Sequence, residues 1–210
     1  MSEPLKIVCL SDTHGLHAGL KVPPGEILIH AGDHCNRGTK GEIKDFNRWL
    51  AQLPHPTKLF VAGNHDRPWQ FQRKYAPLWL TSATYLQDSG VMIGGLKFWG
   101  SPWQPEFSQG WAFNLPRGPQ LAAIWEKIPE DVDVLITHTP PQGILDGENL
   151  GCQHLRQRIA QLPKLKLHIF GHIHSGYGRQ VIDETTFVNA AVCNDNYHAC
   201  NSPIVFEMPS

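Results

Sequence analysis

Net charge is what this chain has least of: 18 Lys and Arg stand against 19 Asp and Glu, a formal −1 over 210 residues. That balance leaves no basic footprint for nucleic acid or for an anionic membrane surface. No apolar run approaches the roughly 18 residues that a membrane-spanning helix requires. Residues Met1 to Lys6 lead straight into a strand pattern and lack the form of a secretion signal. Cysteines stand at 9, 35, 152, 193 and 200, an odd and scattered set without a CxxC pair. The spacing argues against a disulfide framework and for reduced thiols in a cytoplasmic protein. Low-complexity tracts, charge runs and composition breaks are missing as well. Residues 1–210 therefore read as one domain, within the ~250 residues a single core serves. Against these absences histidine is abundant, with 12 against 4 tyrosines. It is the one compositional sign of metal chemistry.

Five segments share a pattern: a short strand run that ends in a turn bearing ligand-type residues. Leu5–Leu10 closes on Ser11-Asp12-Thr13-His14-Gly15, and Glu26–His30 on Ala31-Gly32-Asp33. Lys58–Val61 leads into Gly63-Asn64-His65-Asp66, Asp133–Ile136 ends before His138, and Leu165–Phe170 before Gly171-His172-Ile173-His174. Alternate residues at a strand end point the same way, which pairs Asp12 with His14 and His172 with His174. In open α/β sheets ligands gather at the carboxyl ends of strands, so the turns are expected to converge. His30 and His168 lie inside strand patterns and read as packed residues or as partners of ligands.

The rest of the chain supplies covering elements. Ile43, Phe46, Leu50 and Leu53 recur at helical spacing, and Pro54 and Pro56 stop that helix. Thr84–Gln87, Val91–Ile93 and Leu96–Trp99 are separated by Gly-containing turns and predict hairpins. The long loop over 99–117 carries Trp103, Phe107, Trp111 and Phe113, which read as packing, a substrate wall or a dimer face. Helices are expected over Pro119–Ile128 and around Leu155, Ile159 and Leu162, then a hairpin over 179–188 and a last strand at Ile204–Phe206.

The order Asp12-x-His14, Gly32-Asp33, Gly63-Asn64-His65-Asp66, His138 and Gly171-His172-x-His174 resembles the calcineurin-like metallophosphoesterases, over almost the whole chain. Within them, Gly100-Ser-Pro-Trp103, Trp111 to Arg117, His138-Thr-Pro-Pro141 and His172 to Gly178 are similar to the metallophosphoesterase-domain-containing proteins and their bacterial relatives.

The resemblance implies an α/β fold, a four-layer sandwich of two mixed β-sheets flanked by helices, with two divalent metal ions. Carried over by position, Asp12, His14 and His174 would hold the first ion and Asn64, His138 and His172 the second, with Asp33 bridging. Oxygen and imidazole donors suit Mn, favoured here, and also Fe, Zn, Co or Ni. The implied nucleophile is a metal-bridging hydroxide. His65 would serve the leaving oxygen, with Asp66 holding its imidazole. His34, where the branch has other residues, reads either as a substrate-contacting rim residue or as a loop residue. Arg67 could pair with a substrate phosphate or stay a solvated surface charge.

The implied activity is phosphodiester hydrolysis of small substrates such as cyclic nucleotides. Phosphomonoesterase or protein phosphatase activity is the alternative. A non-catalytic scaffold has the complete set of motif residues against it. The expected partner is a small phosphate ester, and the oligomeric state stays open.

Overall fold

Apolar residues occupy successive positions of β1 (Leu5–Leu10), so both of its faces must be covered. Ile7 and Cys9 face one way, Val8 and Leu10 the other, and all four are buried. The computed structural model describes residues 4–208. In it β1 runs parallel to β2 (Ile27–His30), which is followed by β3 (Thr57–Phe60) and β4 (Thr84–Tyr85). At the other edge β13 (Ile204–Met208) pairs antiparallel with β1.

A six-stranded sheet packs against this one. Its parallel centre is β6 (Leu96–Ser101), β9 (Val134–Thr137), β10 (Leu167–Phe170) and β12 (Thr185–Asn189). The antiparallel strands β5 (Ser89–Ile93) and β11 (Gly178–Ile182) close its edges.

Three apolar layers follow from the alternation along the strands. Ile7, Ile29 and Leu59 meet Val134, Ile169 and Val188 between the sheets. The outer face of the first sheet, with Val8, Leu28 and Phe60, lies under α1 (Lys40–Gln52) and the short α2 (Pro68–Phe71) and α3 (Ala76–Trp79). On the outer face of the second, Leu135, Phe170 and Phe187 lie under α4 (Pro119–Trp125) and α5 (Gln153–Ile159). The expected sandwich of two mixed sheets flanked by helices is the fold that forms.

Local sequence explains the best-defined helix. Ile43, Phe46 and Leu50 make the buried stripe of α1, and Thr39 and Glu42 close a reciprocal capping box at its start. Such a cap contributes about 1 kcal/mol.

The hairpin expectation over 84–93 is corrected. β4 pairs with β3 in one sheet and β5 with β6 in the other, and Leu86 between them is buried in the inter-sheet core. A period-two pattern marks a strand but does not name its partner. Within the aromatic loop a small clasp, β7 (Gln104–Pro105) beside β8 (Asn114–Leu115), braces the residues between.

The two sheets are tied together at their carboxyl edge. Ser11 N–H donates to Ala190 O at 2.8 Å, Val192 N–H to Ser11 O at 2.9 Å and His172 N–H to Asp12 Oδ2 at 3.0 Å. This edge is where the polar turns meet.

Candidate metal centre

The turns leave the strand direction at once. Asp12, His14, Asp33 and His172 have φ of 53°, 43°, 58° and 67°, a left-handed conformation that is costly without glycine. The alternation rule therefore does not apply to them, and His174 already opens a one-turn 3-10 helix, His174–Gly176. The expected convergence holds for a different reason: tight turns aim these side chains.

Glycines make the turns tight. A Cβ at Gly171 would lie 1.9 Å from Asp12 Oδ2, and one at Gly63 2.2 Å from Asp33 Oδ1 and 2.6 Å from His138 Cε1. Both carboxylates pack directly on bare backbone.

The donors gather in two groups about Asp33. On one side His174 Nε2 lies 3.4 Å from Asp12 Oδ1 and 3.2 Å from His14 Nε2. On the other, His138 Nε2 lies 3.0 Å from Asn64 Oδ1, and the rings of His138 and His172 are 5.0 Å apart. Asp33 Oδ2 stands between, 4.0 Å from His14 Nε2 and 3.5 Å from His138 Nε2. The structure thus brings all seven expected ligands together around Asp33.

These residues fit cations. Asp12 Oδ1 is buried yet accepts no hydrogen bond from a described residue. His138 Nδ1–H can donate to Ala31 O and His174 Nδ1–H to Asn194 O, both at 2.9 Å, which turns each Nε2 lone pair inward. His14 Nε2 and His174 Nε2 lie 3.2 Å apart, and a positive charge shared between them, a proton or a cation, makes that arrangement favourable.

The field has the same sign. Burial opposes ionisation of Asp12 and Asp33, but neighbouring imidazoles, His174 and His138 foremost, hold both carboxyls well below the usual range. Conversely, burial would depress His138 and His174, yet Asp33 and Asp12 respectively raise each to about 9. The carboxylates draw positive charge into a buried site.

Other expected site residues sit differently. His65 reaches the centre, with Nε2 3.9 Å from Asp33 Oδ2 and its ring against Trp111 at 4.4 Å. Asp66, however, does not hold its imidazole. The Asp66 carboxylate accepts N–H groups from Asp33, Gly63 and Cys35, at 2.8, 2.8 and 2.9 Å, and lies 2.8 Å from His34 Nδ1. It ties the second and third ligand turns together from below, and the partner of His65 Nδ1 is Asn36 O at 2.7 Å.

His34 is not a rim residue. It is fully buried between Phe46 and Phe60 under the turn, where its Nδ1 lies 2.8 Å from Asp66 Oδ1. Arg67 is exposed and lines a separate cavity with Arg37 and Phe71.

A cavity of about 420 Å³ opens over the donors. Phe107 and Trp111, stacked at 6.1 Å, form one wall, and Tyr197, 4.7 Å from the His14 ring, forms the other. The aromatic loop is thereby divided: Phe107 and Trp111 face the cavity, whereas Phe113 is buried and Trp103 packs on it. Sequence reading missed Tyr197, which follows Asn194-Asp195-Asn196 and carries no motif. Its left-handed φ of 58° is the only local mark, and only the structure shows it.

Two mixed sheets with His, Asp and Asn donors collected at their carboxyl edge define a class, the α/β-sandwich metallohydrolases. The chain belongs to the calcineurin-like phosphoesterase family, whose pattern matches residues 5–176. By family it is a metal-dependent phosphoesterase. It is 41% identical to human metallophosphoesterase domain-containing protein 1, over 98% of this chain and 71% of that protein. UPF0046 protein K07C11.7 of Caenorhabditis elegans is 42% identical, over 98% of this chain and 76% of that one.

Solved structures share the fold at 13% identity. SoxB, a sulfate thiohydrolase of Thermus thermophilus, superposes with a TM-score of 0.53 over 91% of this chain and 52% of its own. A Staphylococcus aureus protein provisionally described as a 5'-nucleotidase gives 0.54 over 98% and 54%. The chain spans about half the length of these two structures.

Proposed function

We propose that this chain is a phosphodiesterase with two divalent ions, Mn foremost, acting on small diesters such as cyclic nucleotides within a single domain over 1–210. Residues 1–3 and 209–210 of that span lie outside the described residues. The observation that carries the reading is the donor cluster opening into a cavity with aromatic walls and no lysine or arginine in its lining. Lysine or arginine in the lining would favour a monoester dianion, and neither occurs among the described lining residues. A diester carries one charge and an organic group on each side, and Phe107, Trp111 and Tyr197 offer apolar faces to those groups.

Asp12, His14 and His174 are assigned to one ion, Asn64, His138 and His172 to the other, and Asp33 to both. When bound, such ions stabilise charge on phosphoryl oxygens and lower the pKa of water towards neutrality. The chain's own part is orientation and proton delivery. Donation of His65 Nδ1–H to Asn36 O leaves Nε2 facing the cavity. With both ring nitrogens protonated, Nε2–H gives its proton to the departing alkoxide or aryloxide oxygen, an effect of typically 10²–10⁴-fold. Trp111 packs against that ring, with the centroids 4.4 Å apart. Four of the five thiols are buried and all are unpaired, in keeping with a reducing compartment, the cytoplasm. No helix among the described residues is long and apolar enough to cross a membrane.

The test compares Mn-loaded protein on bis(p-nitrophenyl) phosphate and p-nitrophenyl phosphate. Faster turnover of the diester is expected, with His65→Ala down at least about 100-fold at unchanged metal content. Preference for the monoester would support the phosphatase alternative, and no turnover of either would sink the reading.

A further inference from the structure

Asn36 O, the acceptor that orients His65, belongs to a largely exposed stretch, 36–39, between the Asp33 turn and α1. An exposed loop carbonyl is a poor anchor unless its own peptide is held. It is held from both sides. Cys35 N–H donates to Asp66 Oδ1 at 2.9 Å, and Asn36 N–H and Arg37 N–H both donate to Glu42 Oε1 at 2.9 Å. Glu42 Oε2 separately accepts Thr39 N–H and Thr39 Oγ1–H at 2.8 Å. Burial opposes charge on Glu42, but these hydrogen bonds hold its carboxyl below its ordinary value, so it is ionised at neutral pH.

The two oxygens divide the work. A capping box needs only the Thr39 side of the carboxylate. Oε1 is surplus to the cap, and both of its bonds go to the peptide groups that precede and carry the Asn36 carbonyl. Gly38 lays the same loop on His65 itself: a Cβ there would lie 2.8 Å from His65 O.

We propose that Glu42 is a positioning residue for His65, fixing through Asn36 the orientation that presents Nε2 to the leaving oxygen. The inference rests on the reading of His65 given above. A ring that must meet one oxygen atom loses rate when it can swing, even if the fold and ligands are intact.

The test sets Glu42→Ala beside Thr39→Ala, which weakens the same helix start but leaves the Oε1 bonds in place. Two diesters are used, bis(p-nitrophenyl) phosphate and diphenyl phosphate, the second with the poorer leaving group. Glu42→Ala should lower kcat on diphenyl phosphate about tenfold, and less on the nitrophenyl ester, at unchanged metal content. Thr39→Ala should lower Tm comparably and keep turnover. In a His65→Ala background, Glu42→Ala should cost less than about twofold more, because both changes remove one function.

Equal losses on both esters, or a full further loss in the His65→Ala background, would mean that Glu42 serves stability alone. Should Glu42→Ala fail to fold, Glu42→Gln replaces it. One amide oxygen cannot serve loop and cap together, so the same leaving-group split is expected in smaller measure, and its absence overturns the inference. If His65→Ala itself turns over normally, the assignment of His65 fails and this inference with it. If His65→Ala is impaired and Glu42→Ala is not, only the inference falls.

Discussion

His168 is buried within the second sheet, where its Nε2–H donates to Thr137 Oγ1 at 2.9 Å while that hydroxyl donates to Thr139 O. Burial pushes its pKa down from 6.5 to about 3. The unfolded chain therefore binds a proton below pH 6.5 that the folded chain refuses. Stability from this residue is constant above pH 6.5 and falls as pH drops towards 3, by about 1.4 kcal/mol per pH unit. His168→Gln, which keeps a donor for Thr137, should flatten the fall of Tm between pH 6.5 and 4. An unchanged slope would show that His168 is not a source of acid sensitivity. At this scale the candidate ligands were legible because each lies within four residues of the end of a strand. Asn36, Glu42 and Tyr197 were not: a backbone carbonyl has no signature, and a capping glutamate looks like any other helix start. Asp66 was legible as important but was given the wrong partner, since its neighbour in sequence, His65, is not its neighbour in space.

The ligand turns work as elements because glycine lets carboxylates rest on backbone. Gly171→Ala would drive a methyl group into Asp12 Oδ2, which sits 1.9 Å from the Cβ position and also accepts His172 N–H at 3.0 Å. Overpacking of this kind costs about 1–3 kcal/mol. Metal content after Mn loading should drop by at least half, since Asp12 and His172 are assigned to different ions. Full occupancy by elemental analysis would show that the turn can yield without moving its ligands. Gly19→Ala, with no atom within 4 Å of its Cβ, is the matched control. Strands and long helices were legible from apolar period, and turns from Gly and Pro. Partner choice was not: β4 and β5 lie three residues apart in the chain yet belong to different sheets, because pairing is decided by the neighbours each strand meets.

Across the molecule the donors come from both sheets. Asp12, His14, Asp33 and Asn64 follow strands of the first, and His138, His172 and His174 strands of the second. Ions bound there would join the two sheets at one edge, while the three apolar clusters hold the sandwich elsewhere. At 100 times Kd, metal adds about 2.7 kcal/mol per site. Loading both sites with Mn should therefore raise Tm by roughly 10–20 °C, since each kcal/mol shifts a chain of this size about 2–4 °C. Chelation should return it with far-UV circular dichroism unchanged at 25 °C. An unmoved Tm would separate the donor cluster from metal binding, and loss of secondary structure on chelation would mean that the cores do not stand alone. By itself the sequence determined where strands and helices run and the list of donors, because apolar period and residue type are local properties; the layers followed from its resemblance to a family. Only the tertiary structure decided which carboxylate serves which imidazole, which aromatics face the cavity and what holds His65. Those are distances between turns far apart in the chain, set by how the two sheets pack.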